Sequence, residues 1–348
     1  MRRTFYASTL ALTLAALALT PSAQTTRGGA SSRPAPASPQ RAQAAAPVAD
    51  LIPLPAADAV MLVDVRKLLT EVVPRSLSGD ASRLAQVTTD IEQFKARTGI
   101  DARDFDSVAV GARLVKLQSG AVKVERLTAV ARGRVNADAL IASARTAAKG
   151  TLAEQQYGGK TIYVETINEQ LKLFGLVKMH VRELALAVLD QNTLALGEPE
   201  DVRAAIDAQA GRGRADMSVL NFQRSAGDFV VFGGNVPAGL LSGAETGLPN
   251  VDRAIAAVRG FYGSIGSTPA GLQLMTTLRA QTAADAKQLF DTAEALRQVA
   301  PGLISATGEK GKFAQNAINS LKITLKANEV QLRLEVPQAD ISTLLRVL

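Results

Sequence analysis

Two stretches in opposite halves of the chain follow the same plan, and this repeat constrains the fold more than any other feature. Residues 124–148 (VERLTAVARGRVNADALIASARTAA) align without gaps to residues 271–295 (GLQLMTTLRAQTAADAKQLFDTAEA). In both stretches, a strand-like run leads into a polar cap and then into a helix that begins near an Ala-Asp-Ala step. The agreement in the order of elements predicts an internal duplication.

Two further pairs of segments agree with a duplication. Residues 194–206 (LALGEPEDVRAAI) match residues 332–344 (LRLEVPQADISTL) as a strand followed by a helix. The apolar run at 58–65, which predicts the opening strand, has a counterpart at 228–234. Identities are few, so chance agreement in an alanine-rich chain is the alternative explanation. We predict two related units, the second shorter than the first.

The predicted units cover residues 51–211 and 212–348. Within each unit, short turns connect neighbouring strands, which therefore pair antiparallel. Gly158-Gly159 between two strand-like runs is the clearest hairpin signal in the chain. Residues 330–336 alternate apolar and polar side chains, as in a strand with one buried face. The predicted class is α+β, with an antiparallel sheet in each unit and helices packed on one face of it.

The first 23 residues have the pattern of a secretory signal peptide. Arg2 and Arg3 give a basic start, residues 9–20 form an Ala/Leu/Thr run too short to span a bilayer, and small residues follow at 21–23. We therefore predict a signal peptide over residues 1–23 and export of the protein to the periplasm or the exterior. An exported chain works among envelope and surface molecules.

The next segment, residues 24–50, contains no Leu, Ile or Phe and is rich in Ala, Pro, Ser, Gly and Gln. Such a segment buries too little apolar surface to offset its ordering entropy, so we predict a disordered tether. It spaces the folded part from a surface, or it is a spacer without a role of its own. No run after the signal approaches the ~20 apolar residues of a spanning helix, so the mature chain is expected not to span a membrane.

Composition excludes several classes of function. The chain has no cysteine, so disulfides, thiol catalysis, thiolate metal sites and a lipidated cysteine are all excluded. Residues 1–50 carry five arginines and one aspartate, so most of the net charge of +7 lies in the leader and tether. Nucleic-acid binding needs clustered Lys/Arg on the fold, usually with stacking aromatics, and the chain has no Trp. We expect no nucleic-acid partner.

The chain has a single histidine, His180. A strand over residues 171–181 would place it on the same face as Lys172 and Lys178, with no carboxylate beside it. Any histidine-based triad or zinc site would have to be built on this one imidazole. We interpret His180 as a solvated strand residue rather than as a catalytic base or metal ligand.

Three glycine-containing segments are near misses to known motifs. Residues 262–266 (YGSIG) lack the first glycine of a nucleophile elbow, G-x-S-x-G. Residues 308–313 (GEKGKF) lack the spacing and the Ser/Thr of a P-loop, and Gly233-Gly234 with Gly239 does not fit G-x-G-x-x-G. We predict that all three are turns, and we assign no catalytic residue and no cofactor.

One cluster of acidic residues is a weak candidate for a metal-binding site. Asp101, Asp104 and Asp106 offer three hard oxygen ligands in one loop, which suits Ca²⁺, but the glycine and distal glutamate of an EF-hand are absent. Turn and cap chemistry is the alternative explanation of such a cluster. Two carboxylates that meet in space as a glycosidase pair stay open, since sequence does not show which acids converge.

The opening strand carries a family resemblance. Residues 55–65 fit "P-x-x-D-A-V-x-x-V-D-V", and residues 98–101 read "T-G-I-D". Together with the leader, the tether and the duplicated plan, these patterns resemble a group of uncharacterised bacterial exported proteins. The resemblance implies a two-repeat α+β fold, and it implies no activity, cofactor or catalytic residue.

We therefore expect an exported protein that is a non-enzymatic envelope or secreted module, binding or structural, rather than an enzyme. Its sheets, or a groove between the two units, would bind a partner such as an envelope protein or a surface. The alternative is a carboxylate-dependent hydrolase of the periplasm or exterior. The two hypotheses differ in whether a pocket holds two converging Asp or Glu side chains.

Overall fold

The computed structural model describes most of the chain after the predicted tether. The predicted signal peptide and tether, residues 1–23 and 24–50, lie outside the described residues. The described ranges are 52–98, 101–118, 122–134, 136–147, 152–173, 177–242, 248–303 and 309–341.

All strands in these ranges belong to one twelve-stranded antiparallel sheet, which confirms the predicted α+β class. Across the sheet the order is β11-β12-β10-β9-β8-β1-β2-β3-β7-β6-β5-β4. The strands, in chain order, are β1 (Ala59–Asp64), β2 (Phe105–Lys116), β3 (Val122–Gly133), β4 (Ala153–Tyr157), β5 (Lys160–Leu173), β6 (Val177–Asp190), β7 (Thr193–Gly197), β8 (Asp228–Asn235), β9 (Val258–Thr268), β10 (Gly271–Ala280), β11 (Lys322–Lys326) and β12 (Glu329–Pro337).

The centre of the sheet is the antiparallel pair β1 and β8, with Leu62 opposite Val231. On one side of this pair lie the strands of residues 105–197, and on the other side lie those of residues 258–337. The strands of both predicted units therefore form one continuous sheet rather than two. The division of the chain into two units stays a prediction.

The helices fill the connections between strands. None of those in the described ranges combines the length and the apolar composition that crossing a bilayer requires. They are α1 (Val65–Lys67), α2 (Val73–Ser76), α3 (Ala81–Thr98), α4 (Ala137–Ala147), α5 (Pro199–Gln209), α6 (Pro249–Ala256), α7 (Ala283–Leu303) and α8 (Glu309–Ser320), with a π-helical turn over Leu68–Val72 between the first two.

Short polar residues begin several helices, as capping chemistry requires. The Asp80 carboxylate accepts a hydrogen bond from the Arg83 backbone N–H at 3.1 Å at the start of α3. The Asn136 side chain accepts one from the Ala139 N–H at 3.0 Å at the start of α4. Pro199 is the first residue of α5, where the missing proline N–H leaves no helical bond unmade.

The first core lies between one face of the sheet and α5. Val202 and Ile206 of this helix pack against Val130 of β3 and Ala187 of β6, and all four are buried. Ile162 of β5 is completely buried in the same cluster. Burying five such side chains removes enough apolar surface to fix α5 on this face of the sheet.

The second core lies on the opposite face of the sheet. Register partners on neighbouring strands lie on the same face of the sheet. One such row faces α5 and consists of Leu62, Val231, Ser264, Met275 and Arg333. Leu332, next to Arg333, therefore points the other way, where it packs with residues of α7. Helices thus occupy both faces of the sheet, not the one face expected.

The expected alternation in β12 is confirmed. Val330, Leu332 and Val336 are buried, while Arg333 between them is exposed. Ala286 and Leu289 of α7 pack against the buried row. The period-two pattern therefore identified both the strand and its covered face.

The predicted strand over residues 171–181 is wrong. β5 ends at Leu173, β6 begins at Val177, and these two residues are register partners at the end of a hairpin. Residues 173–177 (LFGLV) include no polar side chain, so the hydrophobic pattern does not show whether the strand continues or the chain turns back there. By contrast, the hairpin predicted at Gly158-Gly159 is confirmed, with both glycines at positive φ.

Most of the glycine segments predicted as turns are not turns. Residues 262–266 lie inside β9, Gly233-Gly234 lies inside β8, and α8 runs over Glu309–Ser320, while Gly308 lies outside the described residues. Gly239, by contrast, does lie in a turn, with φ +77. A Cβ on Gly263 would lie 2.1 Å from the Met275 carbonyl oxygen, so the residue is glycine because neighbouring backbone approaches closely. Glycine within a strand can mark such an approach as well as a turn.

Candidate functional site

A pocket of about 110 Å³ opens on the face of the sheet that carries α5. Its lining comes from the segment before β1, from β2, β3 and α5, and from Gly213 after α5. Its lining combines small side chains, which leave space, with a few polar ones. The lining residues are Pro55, Ala56, Ala57, Gly111, Arg113, Arg126, Thr128, Asp201, Ala204 and Gly213.

One wall of the pocket is an extended segment, residues 55–57, that backbone hydrogen bonds fix in place. The Ala56 N–H donates to the Gly213 carbonyl at 2.7 Å, and the Ala215 N–H donates to the Leu54 carbonyl at 2.9 Å. Gly213 has φ +62, a conformation that glycine adopts at little cost. The wall is therefore part of the folded scaffold.

The floor consists of two strand positions on β2 and their register partners on β3. Gly111 lies opposite Thr128, and Arg113 lies opposite Arg126. A Cβ on Gly111 would lie 3.1 Å from the Ala57 Cβ, so glycine at this position lets the wall approach the floor. The cross-strand register thus brings two arginines to one side of the pocket.

Asp201 lies in the first turn of α5 and is the buried carboxylate of the site. Its side chain is only 3% exposed, and its Oδ1 accepts a hydrogen bond from Arg126 Nε at 2.6 Å. A Cβ on Gly197 would lie 3.0 Å from the Asp201 Cβ, so the end of β7 passes close beneath this residue. The helix and the sheet together hold the carboxylate in place.

Two opposing effects act on the pKa of Asp201. Burial raises the pKa, since the charged form loses hydration, and the hydrogen bond and charge of Arg126 act in the opposite direction. Burial is the larger effect, so the pKa lies above its ordinary value. The positive charge of the Arg126 guanidinium therefore neutralises the buried carboxylate of Asp201.

Arg113 differs from Arg126, which pairs with Asp201, because no residue in the described part of the chain forms an ion pair with Arg113. Its side chain is exposed, and within the described ranges it forms no ion pair or side-chain hydrogen bond. Like charges directly opposite one another on neighbouring strands repel. The pocket lining holds two guanidiniums and one carboxylate, so it carries one surplus positive charge.

The weak metal candidates Asp101, Asp104 and Asp106 lie elsewhere and are not brought together. Both oxygens of Asp101 accept hydrogen bonds from Arg103, and Oδ2 also accepts one from Lys95. These bonds hold the pKa of Asp101 well below its usual range.

The other two acids of this loop have separate surroundings. Asp106 pairs with Arg66, and Asp104 is an exposed residue of a short 3₁₀ turn. Within the described part of the chain, no three acidic or histidine side chains meet in a group able to hold a metal ion. The cluster is a set of caps and ion pairs at the start of β2.

Two further residues singled out from the sequence are not among the described lining of the pocket. His180 is in β6, in register with Gln170 of β5, and its side chain lies outside what the structure describes. Ser264 is in the middle of β9 and is 4% exposed, which removes it from reach of a substrate. Ser264 therefore does not belong to the site.

Sequence reasoning missed Arg113, Arg126 and Asp201. A weak signal was available, because Arg113 and Arg126 flank the connection between two predicted antiparallel strands. Pairing those strands would have placed the two arginines near one another. Asp201 lies in the first turn of a helix, where acidic residues are common, and nothing near it in sequence indicates a distant arginine.

No family model matches the chain, and no curated protein matches it either. Among solved structures, crystal form III of the Treponema protein TP0453 gives a TM-score of 0.44 at 7% identity, covering 85% of this chain and 96% of TP0453. Crystal form I of TP0453 gives 0.43 at 9% identity, covering 87% and 99%.

Proposed function

We propose that this chain is an exported bacterial protein that acts as a non-enzymatic binding module, and that the pocket beside α5 is its binding site. The leader at residues 1–23 supports export to the periplasm or exterior. The pocket supports binding because its wall is fixed and its lining mixes small apolar side chains with a few charged ones.

The observation that carries the proposal is that the single carboxylate described in the pocket is already paired with an arginine. Asp201 is buried and bound by Arg126, and no second Asp or Glu is among the lining residues described. Glycoside hydrolysis by the usual route uses two carboxyl groups on either side of the scissile bond. The pocket thus supplies hydrogen-bond donors and charge but no acid–base pair, which favours binding over the hydrolase alternative.

A pocket-filling substitution tests the proposal. Ala204 lines the pocket from α5, so Ala204→Leu places extra side-chain volume in it without changing a charge. Ala210 lies at the C-terminal end of the same helix and is exposed, so Ala210→Leu is the matched control. We would screen the full mature chain by thermal shift against a panel of neutral, anionic and cationic small molecules.

At least one compound is expected to raise the Tm of the wild type and of Ala210→Leu but not of Ala204→Leu. A panel in which no compound separates the two variants would contradict binding at this pocket. Turnover of a panel compound that Asp201→Asn abolishes would instead support the hydrolase alternative. Stability of each variant without ligand is measured first by urea unfolding, so that loss of binding is separated from loss of folding.

Export is tested separately, by fractionation of cells that produce the full chain. The expected product is shortened by about 23 residues and is found outside the cytoplasm. A variant lacking residues 9–20 is expected to stay uncut in the cytoplasm, because the apolar stretch that enters the export machinery is gone. Full-length wild-type protein confined to the cytoplasm would contradict the proposal.

A further inference from the structure

We infer that the pocket beside α5 recognises a singly charged carboxylate group of a small molecule, with Arg113 as the residue that pairs with it. This inference rests on the proposed binding function and names its ligand class. It follows from the charge, the available donors and the size of the pocket.

The charge of the lining points to an anion. Arg113 and Arg126 are register partners on adjacent strands, and Asp201 neutralises Arg126 alone. A guanidinium next to another cation is stabilised when an anion approaches, since the anion relieves their repulsion. The surplus amounts to one positive charge, which matches a monoanion better than a doubly charged phosphate.

The donors left over also suit a carboxylate. Arg126 uses Nε for Asp201, and no described residue takes its two terminal nitrogens. No described residue accepts a hydrogen bond from the Arg113 guanidinium, and a planar guanidinium matches the two oxygens of a carboxylate. The Thr128 hydroxyl on the floor forms no hydrogen bond with a described residue and is a further donor beside these two.

The size of the pocket limits the ligand. About 110 Å³ is the space of a few water molecules, at roughly 30 Å³ each in the liquid. A short carboxylic acid fits such a space, or the carboxylate end of a longer molecule whose remainder extends outward past the exposed Arg113. Ala57, Ala204 and Gly213 offer small apolar contacts to the carbon atoms behind the carboxylate.

The experiment measures binding of acetate and propionate to the full mature chain, with acetamide as the uncharged isostere. Ionic strength is held constant with chloride, so that general screening is the same in every sample. Phosphate and sulfate at equal ionic strength are the doubly charged comparators. Binding is followed by thermal shift and by NMR titration of the protein amides.

Two arginine variants of equal charge change make the test specific. Arg113→Gln removes the uncommitted guanidinium, and it is expected to weaken acetate binding by about tenfold or more. Arg134→Gln removes an exposed arginine that lies outside the pocket and forms no side-chain bond with a described residue. It is expected to bind acetate like the wild type.

The outcomes separate this inference from the proposed function. Acetate binding that needs Arg113 and is blocked by Ala204→Leu supports both. Equal binding of acetate and acetamide, unchanged binding in Arg113→Gln, or a preference for phosphate or sulfate would overturn the carboxylate inference. If a neutral compound still binds and Ala204→Leu blocks it, the binding function stands. No binding of any compound at the pocket would overturn both.

Discussion

Arg126 and Asp201 form an ion pair whose two members differ sharply in exposure. The Asp201 side chain is 3% exposed and the Arg126 side chain is 32% exposed, with 2.6 Å between Nε and Oδ1. The arginine can be hydrated if it loses its partner, whereas the aspartate cannot. The two halves of the pair are therefore not equivalent in what their removal does to the fold.

The first prediction is that Arg126→Gln destabilises the protein more than Asp201→Asn at pH 7. Arg126→Gln leaves a buried carboxylate without its cation, which costs about 3 kcal/mol. Asp201→Asn leaves a partly exposed arginine that water can solvate, and the asparagine oxygen still accepts a hydrogen bond, so the expected cost is about 1–2 kcal/mol. Urea unfolding of both variants at pH 7 provides the measurement.

The pH dependence of the Arg126→Gln variant follows from the same burial. Burial already raises the pKa of Asp201, and loss of Arg126 removes the main effect that opposes it. A carboxyl whose pKa is raised in the folded state stabilises the fold below the unfolded pKa and loses that contribution as pH rises. The cost of Arg126→Gln is therefore expected to shrink from pH 7 to pH 4. An equal cost at both values would contradict this account.

The second prediction concerns Asp101, the half-buried member of the acidic cluster whose side chain is 12% exposed. Asp101→Asn is expected to cost about 1 kcal/mol at pH 7, since the carboxylate caps a 3₁₀ turn and binds Arg103 and Lys95. The pKa of Asp101 is lowered, so its stabilising effect is present above the unfolded pKa near 4 and fades as the pH falls further. Unfolding at pH 7 and at pH 3 measures the difference.

Asp104→Asn is the matched control for Asp101→Asn. Asp104 lies in the same loop, is exposed, and has no side-chain bond to a described residue. Its substitution is expected to change stability by less than about 0.5 kcal/mol at either pH. A larger loss in Asp104→Asn than in Asp101→Asn would show that the loop is held together differently.

The third prediction compares two glycines in opposite surroundings. Gly263→Ala is expected to cost about 2–4 kcal/mol, because the new Cβ would lie 2.1 Å from the Met275 carbonyl oxygen and 2.6 Å from the Phe232 ring. Gly79→Ala meets no atom within 4 Å and is expected to be neutral or slightly stabilising. Thermal unfolding of the two variants checks this. A Gly263→Ala variant as stable as the wild type would contradict it.

Sequence patterns predicted those parts of the fold that local chemistry decides. The turn of the Gly158-Gly159 hairpin needs positive φ at two positions, and two adjacent glycines predict it because glycine adopts positive φ readily. The alternation in residues 330–336 reports directly which face is buried. These features depend on a few neighbouring residues, so a short stretch of sequence contains the whole cause.

The parts that sequence did not predict depend on contacts between distant residues. The chain reverses direction between Leu173 and Val177, within a continuous apolar run. Only the pairing of β5 with β6 therefore shows where the reversal lies. The pocket requires β2 and β3 to pair in one register and α5 to bring Asp201 from 75 residues away. Neither requirement leaves a periodic pattern in the sequence.

The last prediction tests the core beneath α5, on which the geometry of the pocket depends. Ile162 of β5 is completely buried in the cluster that also holds Val202 and Ile206, so Ile162→Ala is expected to cost about 2–5 kcal/mol through lost burial and the cavity left behind. Leu325 of β11 is 38% exposed, and Leu325→Ala is expected to cost less than about 1 kcal/mol. Urea unfolding of both variants measures the contrast. Because the Ile162 cluster supports α5, Ile162→Ala is also expected to loosen the pocket at denaturant concentrations below global unfolding, seen as earlier amide exchange in α5 than in β12. Equal exchange in the two elements would show that α5 is held by contacts other than this core.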